Sequence, residues 1–308
     1  MEIIRSVDWM KQARRGELAR QGEQARRGAQ AARAADSAER LIGFVPTMGA
    51  LHEGHLSLVR AAKQQCSPVI VSIFVNPAQF GPGEDLAKYP RNFEQDCALL
   101  ESLGVDYLFA PDAAEIYPSG FRTAVCVDGL SEKFEGRVRP GHFQGVCTVV
   151  LKLLEIVRPR FAYFGRKDAQ QARIIRQMVC DLNLDPEILV CPIVRESDGL
   201  ARSSRNAYLN PAERRAATVL YRSLDAARRK ITVGSRASAE ILDAVNSTIA
   251  SEPLAKLDYA VLVDADSFET LDFLRGSCLL LIAARVGSTR LIDNMLIEER
   301  GGSFSVAL

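Results

Sequence analysis

Imidazole is scarce in this chain. Its 308 residues hold three histidines and one tryptophan, and none of its seven cysteines forms a C-x-x-C pair. A zinc centre is therefore hard to assemble from sequence neighbours. The cysteines are odd in number, and the opening stretch MEIIRSVDWMKQARR lacks the apolar core of a secretory signal. Both features lead us to expect free thiols and a cytoplasmic protein. Charge of one sign is missing too. A formal net charge of +1 gives no bulk electrostatic reason to bind nucleic acid or an anionic membrane, so any bound anion must be held locally. The longest apolar run, CLLLIAARV from Cys278, is far too short to span a bilayer. No G-x-G-x-x-G follows the first strand-like run, which removes the ordinary dinucleotide fingerprint.

What is present is a regular alternation. Strand-like runs at LIGFVP (from Leu41), PVIVSIFV (from Pro68), VDYLFA (from Val105), RFAYFG (from Arg160) and EILVCPIV (from Glu187) are separated by amphipathic stretches near 54–66, 92–103, 142–157 and 167–182. Continuous apolar strands separated by helices predict a parallel sheet covered on both faces. After Val194 the texture changes to a polar loop, helical stretches at 211–231 and 235–250, then strands at DYAVLVDA, CLLLIAARV and TRLIDNMLIE. The expected fold is α/β: a Rossmann-like doubly wound parallel sheet over residues 1–194, with a smaller C-terminal α+β domain over 195–308. Residues 13–36 stand apart as an imperfect six-residue repeat, ARRGEL, ARQGEQ, ARRGAQ, AARAAD. Six residues advance a helix by about 600°, so no apolar face forms and a solvated helix or a partly disordered arm is expected.

Two of the three histidines, His52 and His55, fall in PTMGALHEGH, directly after the first strand-like run. That is a strand-to-helix crossing at the carboxyl edge of the sheet, where open α/β folds bind ligands. The amide groups and positive dipole end of the following helix favour a phosphate there, Gly54 permits close backbone approach, and two imidazoles can donate to phosphate oxygens. Zinc would require H-E-x-x-H, and H-E-G-H is one residue short. Structural histidines in a tight turn are the plainer alternative.

A second cluster, FGRKDAQQ (Phe164 to Gln171), also follows a strand. There Lys167 can neutralise phosphate charge, Asp168 can accept from a ribose hydroxyl, and Gln171 lies one turn into the next helix. DGLARSSRN (Asp198 to Asn206) puts Ser203 and Ser204 between Arg202 and Arg205. That pattern suits a clamp over a triphosphate, although taken by itself a solvated linker is the favoured reading.

Taken in order, PTMGALHEGH, FVNPAQF, RPGHFQGVCTVVLKLL, FGRKDAQQ, DGLARSSRN and VGSTRLIDN resemble the pantoate–β-alanine ligase family of the H-x-G-H nucleotidylyltransferase superfamily. The resemblance runs from about residue 41 to 297. It implies an ATP-dependent ligase that condenses D-pantoate with β-alanine through pantoyl adenylate, as a homodimer, with Mg²⁺ carried on the ATP phosphates. By that resemblance Met48, Gly49, Ala50, Leu51, His52, Glu53, Gly54, His55, Gly165, Arg166, Lys167, Asp168, Val194, Arg202, Ser203, Ser204 and Arg205 would contact ATP. Gln79 and Gln171 would hold pantoate, with Gln79 also near β-alanine. His55, His52, Lys167, Ser203, Ser204 and Arg205 would stabilise charge moving onto pyrophosphate. No nucleophilic side chain is required, so Cys147 is expected to be a packing residue. Arg202, Ala169 and Arg166 depart from the family pattern. A nucleotidylyltransferase that stops at a nucleotide adduct, and a nucleotide sensor without turnover, are the alternatives.

Overall fold

A computed structural model describes residues 1–17 and 41–308. It separates into two compact units, Met1–Phe164 with Ile174–Cys191, and Gly165–Arg173 with Pro192–Leu308.

The first unit is built on a six-stranded sheet: β1 (Glu2–Ile4), β2 (Gly43–Thr47), β3 (Val69–Ile73), β4 (Tyr107–Phe109), β5 (Phe161–Gly165) and β6 (Glu187–Cys191). The spatial order is β1-β4-β3-β2-β5-β6. The pairs β1–β4, β4–β3, β3–β2 and β2–β5 are parallel. Val45, Val69, Val71 and Leu108 are buried, as expected of strands covered on both sides. The helices of this part are α1 (7–17), α2 (Glu53–Gln65), α3 (Phe93–Ser102), α4 (Ala113–Ile116), α5 (Phe134–Val138), α6 (His142–Val157) and, from Ile174 onward, α7 (Ala169–Asp181), whose first residues belong to the second unit. Leu56, Val59 and Ala62 of α2 and Leu100 of α3 join the strand residues in one apolar cluster. From β2 the chain proceeds to β3 on one side, and from β5 to β6 on the other. The sheet order therefore reverses between β2 and β5, the kind of position at which open α/β sheets bind ligands.

The second unit carries α8 (Pro211–Ala216), α9 (Val219–Thr232), α10 (Ser238–Ala250) and strands β7 (Ala255–Asp264), β8 (Ser277–Val286), β9 (Thr289–Arg300) and β10 (Ser303–Ala307). The sheet is antiparallel in the order β10-β9-β8-β7. Leu220, Leu224 and Ala227 of α9 and Ile241 and Val245 of α10 share a core with Leu280, Ile282, Leu291 and Met295. The single helix expected over 211–231 is two. Pro211 at the first turn and a capping box between Asn210 and Glu213 start the first, and Ala217 and Thr218 separate it from the second.

One expectation needs correcting. Residues 13–17 are helical, continuing α1, but they are not wholly solvated: Arg14 is buried, donating from Nη1 to the Glu155 carbonyl at 3.4 Å. Glu17 accepts from the Tyr107 hydroxyl at 2.7 Å. The apolar face sought in the repeat is replaced here by a guanidinium whose stem packs and whose head finds a helix carbonyl. The rest of the repeat lies outside the described residues. Arg14→Ala is expected to cost about 1–2 kcal/mol, seen as a lower urea midpoint with an unchanged slope. An unchanged midpoint would show that α1 packs without that contact.

Candidate active site

In the first unit, β2 ends at Thr47, whose hydroxyl donates to the Ser72 carbonyl at 2.7 Å and accepts from the Gly49 amide at 3.2 Å. The chain then turns through two left-handed residues, Gly49 at φ 80° and Ala50 at φ 50°. An alanine in that region carries strain that something must hold. Asp96 of α3 holds it. Its buried carboxylate accepts the Ala50 amide at 2.9 Å and the Leu51 amide at 2.8 Å. Burial pushes the Asp96 pKa up, and the two amides oppose that shift.

The spacing of His52 and His55 now has a physical reason. His52 is the N-cap of α2: its Nδ1 accepts the Gly54 amide at 3.1 Å, while His55 Nδ1 accepts the His52 amide at 3.4 Å. The pair forms a capping box in which imidazoles replace the usual hydroxyl and carboxylate. Their rings lie 4.1 Å apart, centre to centre. Because each Nδ1 accepts an N–H, each neutral ring carries its proton on Nε2. The structural duty of these rings therefore selects the tautomer whose Nε2–H is a donor. Glu53, the first helical residue, is half-exposed and pairs with Arg60. Among the described residues the three-ligand grouping of a metal-binding kind is Cys126, Asp128 and Glu132, all exposed, and neither histidine belongs to it.

Gln79 is buried at the end of a 3₁₀ turn over Pro77–Gln79. Its Oε1 accepts from Asn76 Nδ2 at 3.0 Å, and its Nε2 reaches Met48 Sδ at 3.1 Å. Asn76 also donates to the Gly145 carbonyl at 3.1 Å and accepts the Tyr117 hydroxyl at 2.8 Å. Gly145 of α6 is required for this approach, because a Cβ there would lie 2.3 Å from the Ala78 carbonyl oxygen. Behind the turn, His142 Nδ1 donates to the Gln79 carbonyl at 2.9 Å, and its Nε2 accepts from Arg139 Nη1 at 3.0 Å. Arg139 grips both oxygens of Glu84 at 2.8 and 2.7 Å. Burial, and next the Arg139 charge, depress the His142 pKa to about 4. Burial works against the Glu84 carboxylate, but the Arg139 fork, with His142 and the Gly81 amide, more than offsets it and leaves that pKa lowered. Cys147 is wholly buried, its thiol pushed up to about 12 by burial. That is the state of a packing residue rather than a nucleophile.

In the second unit, Gly165 leads into a 3₁₀ turn at Arg166–Asp168, where Lys167 Nζ lies 3.6 Å from Asp168. Asn294 of β9 donates from Nδ2 to the carbonyls of Arg166 at 2.8 Å and Lys167 at 3.0 Å. Gln171 stands in the first turn of α7. DGLARSSRN is not a solvated linker: Leu200 and Ala201 are buried, and Arg195 and Ala201 bridge the two arms of a hairpin closed by the Arg202 amide on the Val194 carbonyl at 3.0 Å. Gly199 is at φ 91°, and a Cβ there would strike the Tyr221 ring. Arg202 pairs with Glu196 at 3.2 Å, so its charge already has a partner within the hairpin. Ser203 then caps a 3₁₀ turn over Ser204–Tyr208, its Oγ accepting the Arg205 amide at 3.3 Å.

Sequence reasoning missed Asp96, Asn76, the His142–Arg139–Glu84 chain and Asn294. RPGHF and LIDN mark two of these places in the sequence, but only the tertiary partners reveal what they do.

A family model described as pantoate-beta-alanine ligase matches residues 17–296. The pantothenate synthetase of Koribacter versatilis is 54% identical over 262 residues, covering 85% of this chain and 90% of that protein. That of Heliobacterium modesticaldum is 56% identical over 259 residues, covering 84% and 92%. Among solved structures, the pantothenate synthetase of Thermus thermophilus superposes with a TM-score of 0.85 at 43% identity, over 96% of this chain and 98% of that one. The pantoate-beta-alanine ligase of Francisella tularensis, complexed with beta-gamma ATP and beta-alanine, gives a TM-score of 0.72 at 36% identity, over 96% and 97%. With the fold, the motifs and these relatives in agreement over nearly its whole length, the chain belongs to the pantoate–β-alanine ligase family.

Proposed function

We propose that this chain joins D-pantoate to β-alanine with ATP, through pantoyl adenylate, and releases AMP and pyrophosphate. A carboxylate resists attack by an amine because its leaving group would be oxide. Pantoate therefore first attacks the α-phosphorus of ATP, and the bond to pyrophosphate breaks. The neutral amine of β-alanine then attacks the acyl carbon, AMP leaves, and the amine loses a proton as the amide forms.

The observation that carries this reading is the imidazole capping box at the start of α2. It sets two Nε2–H donors beside a helix N-terminus, at the carboxyl edge of a sheet whose order reverses next to that strand. Donors fixed before the reaction stabilise charge as it develops on a departing pyrophosphate without reorganising. On this reading Met48, Gly49, Ala50, Leu51, His52, Glu53, Gly54, His55, Gly165 to Asp168, Val194 and Arg202 to Arg205 contact ATP. Lys167, Ser203, Ser204 and Arg205 share the phosphate charge. Gln79 and Gln171 orient pantoate, Gln79 near β-alanine as well. Mg²⁺ comes with the nucleotide phosphates as part of the substrate. We place the enzyme in the cytoplasm as a homodimer acting on small molecules, with no nucleic-acid partner. No helix among the described residues is long and apolar enough to cross a membrane.

With ATP and pantoate but no β-alanine, the enzyme is expected to exchange labelled pyrophosphate into ATP, because adenylation precedes attack by the amine. Exchange that strictly requires β-alanine would overturn the two-step order. Formation of ADP instead of AMP would point to an acyl phosphate.

A further inference from the structure

The VGSTRLIDN stretch has no role in the chemistry so far, yet it places two buried polar residues side by side on β9. Asp293 and Asn294 are 3% and 1% exposed, in a strand whose neighbours Leu291, Met295 and Ile297 belong to the apolar core. Consecutive strand residues point to opposite faces. Asp293 shares the face of Leu291 and Met295, towards the helices, and there it meets Arg195 in a two-pronged pair, Nη1 to Oδ2 at 2.7 Å and Nη2 to Oδ1 at 3.0 Å. The same guanidinium donates to the Gly199 carbonyl at 3.0 Å and lies over the Tyr221 ring of α9. Asp293 thus secures the base and the tip of the Val194–Arg202 hairpin. On the opposite face, Asn294 Nδ2 donates to two successive carbonyls, those of Arg166 and Lys167.

An amide nitrogen with two hydrogens can serve two carbonyls at once; a carboxylate or an aliphatic side chain can serve neither. The cost of this arrangement is visible. Asn294 Oδ1 is buried without a partner, and flipping the amide to satisfy it would turn an oxygen towards both carbonyls. A position that needed only to fill space would be met better by an apolar side chain.

We propose that Asp293 and Asn294 are positioning residues for ATP: from the two faces of one strand they fix the two segments of the second unit that carry its nucleotide residues, Gly165–Asp168 and Val194–Arg205. The inference rests on the assignment of those segments to ATP made above. It extends that assignment by naming what orients Lys167 and the Ser203–Arg205 turn. Neither residue needs to touch the nucleotide. Loosening either anchor widens the set of positions that Lys167 or the serines sample, and ATP loses affinity before any other substrate does.

The test is calorimetric binding of ATP to wild type and Asn294→Leu, alongside Michaelis constants for all three substrates. Asn294→Leu keeps the side-chain size and removes both donors. It should weaken ATP binding by about tenfold, with the pantoate and β-alanine constants within twofold. A merely structural residue would lower the melting temperature without this selectivity for ATP. Asn294→Ser, which retains one donor, should fall between the two and serves if the leucine variant does not fold. Wild-type ATP affinity in a folded Asn294→Leu or Asn294→Ser protein would overturn the proposal, as would equal losses for all three substrates. Absence of pyrophosphate exchange in the wild type would instead overturn the adenylation reading, and because ATP binding is measured without turnover the two failures are distinguishable.

Discussion

His55→Ala lowers the rate of adenylate formation by about a hundredfold or more, the scale on which loss of one preorganised donor acts, while the protein stays folded. The structure sharpens this expectation because His55 has two duties. Its Nδ1 closes the capping box on the His52 amide, and its Nε2–H is the donor proposed for phosphate. Alanine removes both, and the cap alone is worth about 0.5–1 kcal/mol of stability. Two further variants separate the duties. His55→Gln keeps an acceptor at the position where capping boxes ordinarily use glutamine, and His52→Asn supplies one of the best N-cap side chains. If the imidazole proton carries the chemistry, both variants should melt close to wild type and adenylate slowly in a single-turnover experiment. A folded His55→Gln enzyme with near-normal adenylation would reduce the histidine pair to helix caps.

That duality also marks how far sequence alone reaches. The five core strands are legible because each is a continuous apolar run between helical stretches, and the position of His52 and His55 follows from the order strand, turn, helix. β1 has three residues, too few for any period to register, and it is found only through its pairing with β4. The hexad repeat reads as solvated, helical or not, because periodicity reports apolar faces; the buried guanidinium of Arg14, served by a carbonyl 141 residues away, leaves no trace in that signal. The same holds at the site. Asp96 is 46 residues from the Ala50 amide it holds, and Asn294 is 128 from the Arg166 carbonyl. An isolated aspartate in a helix or an asparagine in a strand looks like surface decoration until the chain is folded. DGLARSSRN reads as a linker by composition, and becomes a hairpin because Leu200 and Ala201 find a core and Arg195 finds Asp293.

The third histidine leads to the other large effect, an acid-labile fold that loses the His142 share of its lability in His142→Gln. His142 is held neutral: its Nδ1–H serves the Gln79 carbonyl and its Nε2 accepts from Arg139. Burial first, and then the charge of Arg139, lower its pKa from 6.5 to about 4, against the opposing pull of the Gln79 carbonyl, Glu84 and Glu135. A depressed native pKa means that the unfolded chain takes up the proton first as the pH falls. Stability from this residue is therefore complete above about pH 6.5 and drains away between there and about pH 4, where the native state protonates as well. A separation of that size corresponds to about 3 kcal/mol in full, of which about 2 kcal/mol is lost between pH 7 and pH 5. Glutamine can donate to the Gln79 carbonyl and accept from Arg139 without titrating. Other groups contribute to the pH dependence of both proteins, so the difference between their urea-unfolding free energies isolates His142, and parallel curves from pH 7 to pH 5 would exclude it as the source. The same proton has a functional consequence. A second N–H on the ring would face the Arg139 guanidinium, push the Arg139–Glu84 pair away from the turn, and release the Gln79 backbone on which the proposed pantoate contact depends. In wild type the Michaelis constant for pantoate should therefore rise as the pH falls below about 5, before bulk unfolding, while in His142→Gln it should stay level over the same range.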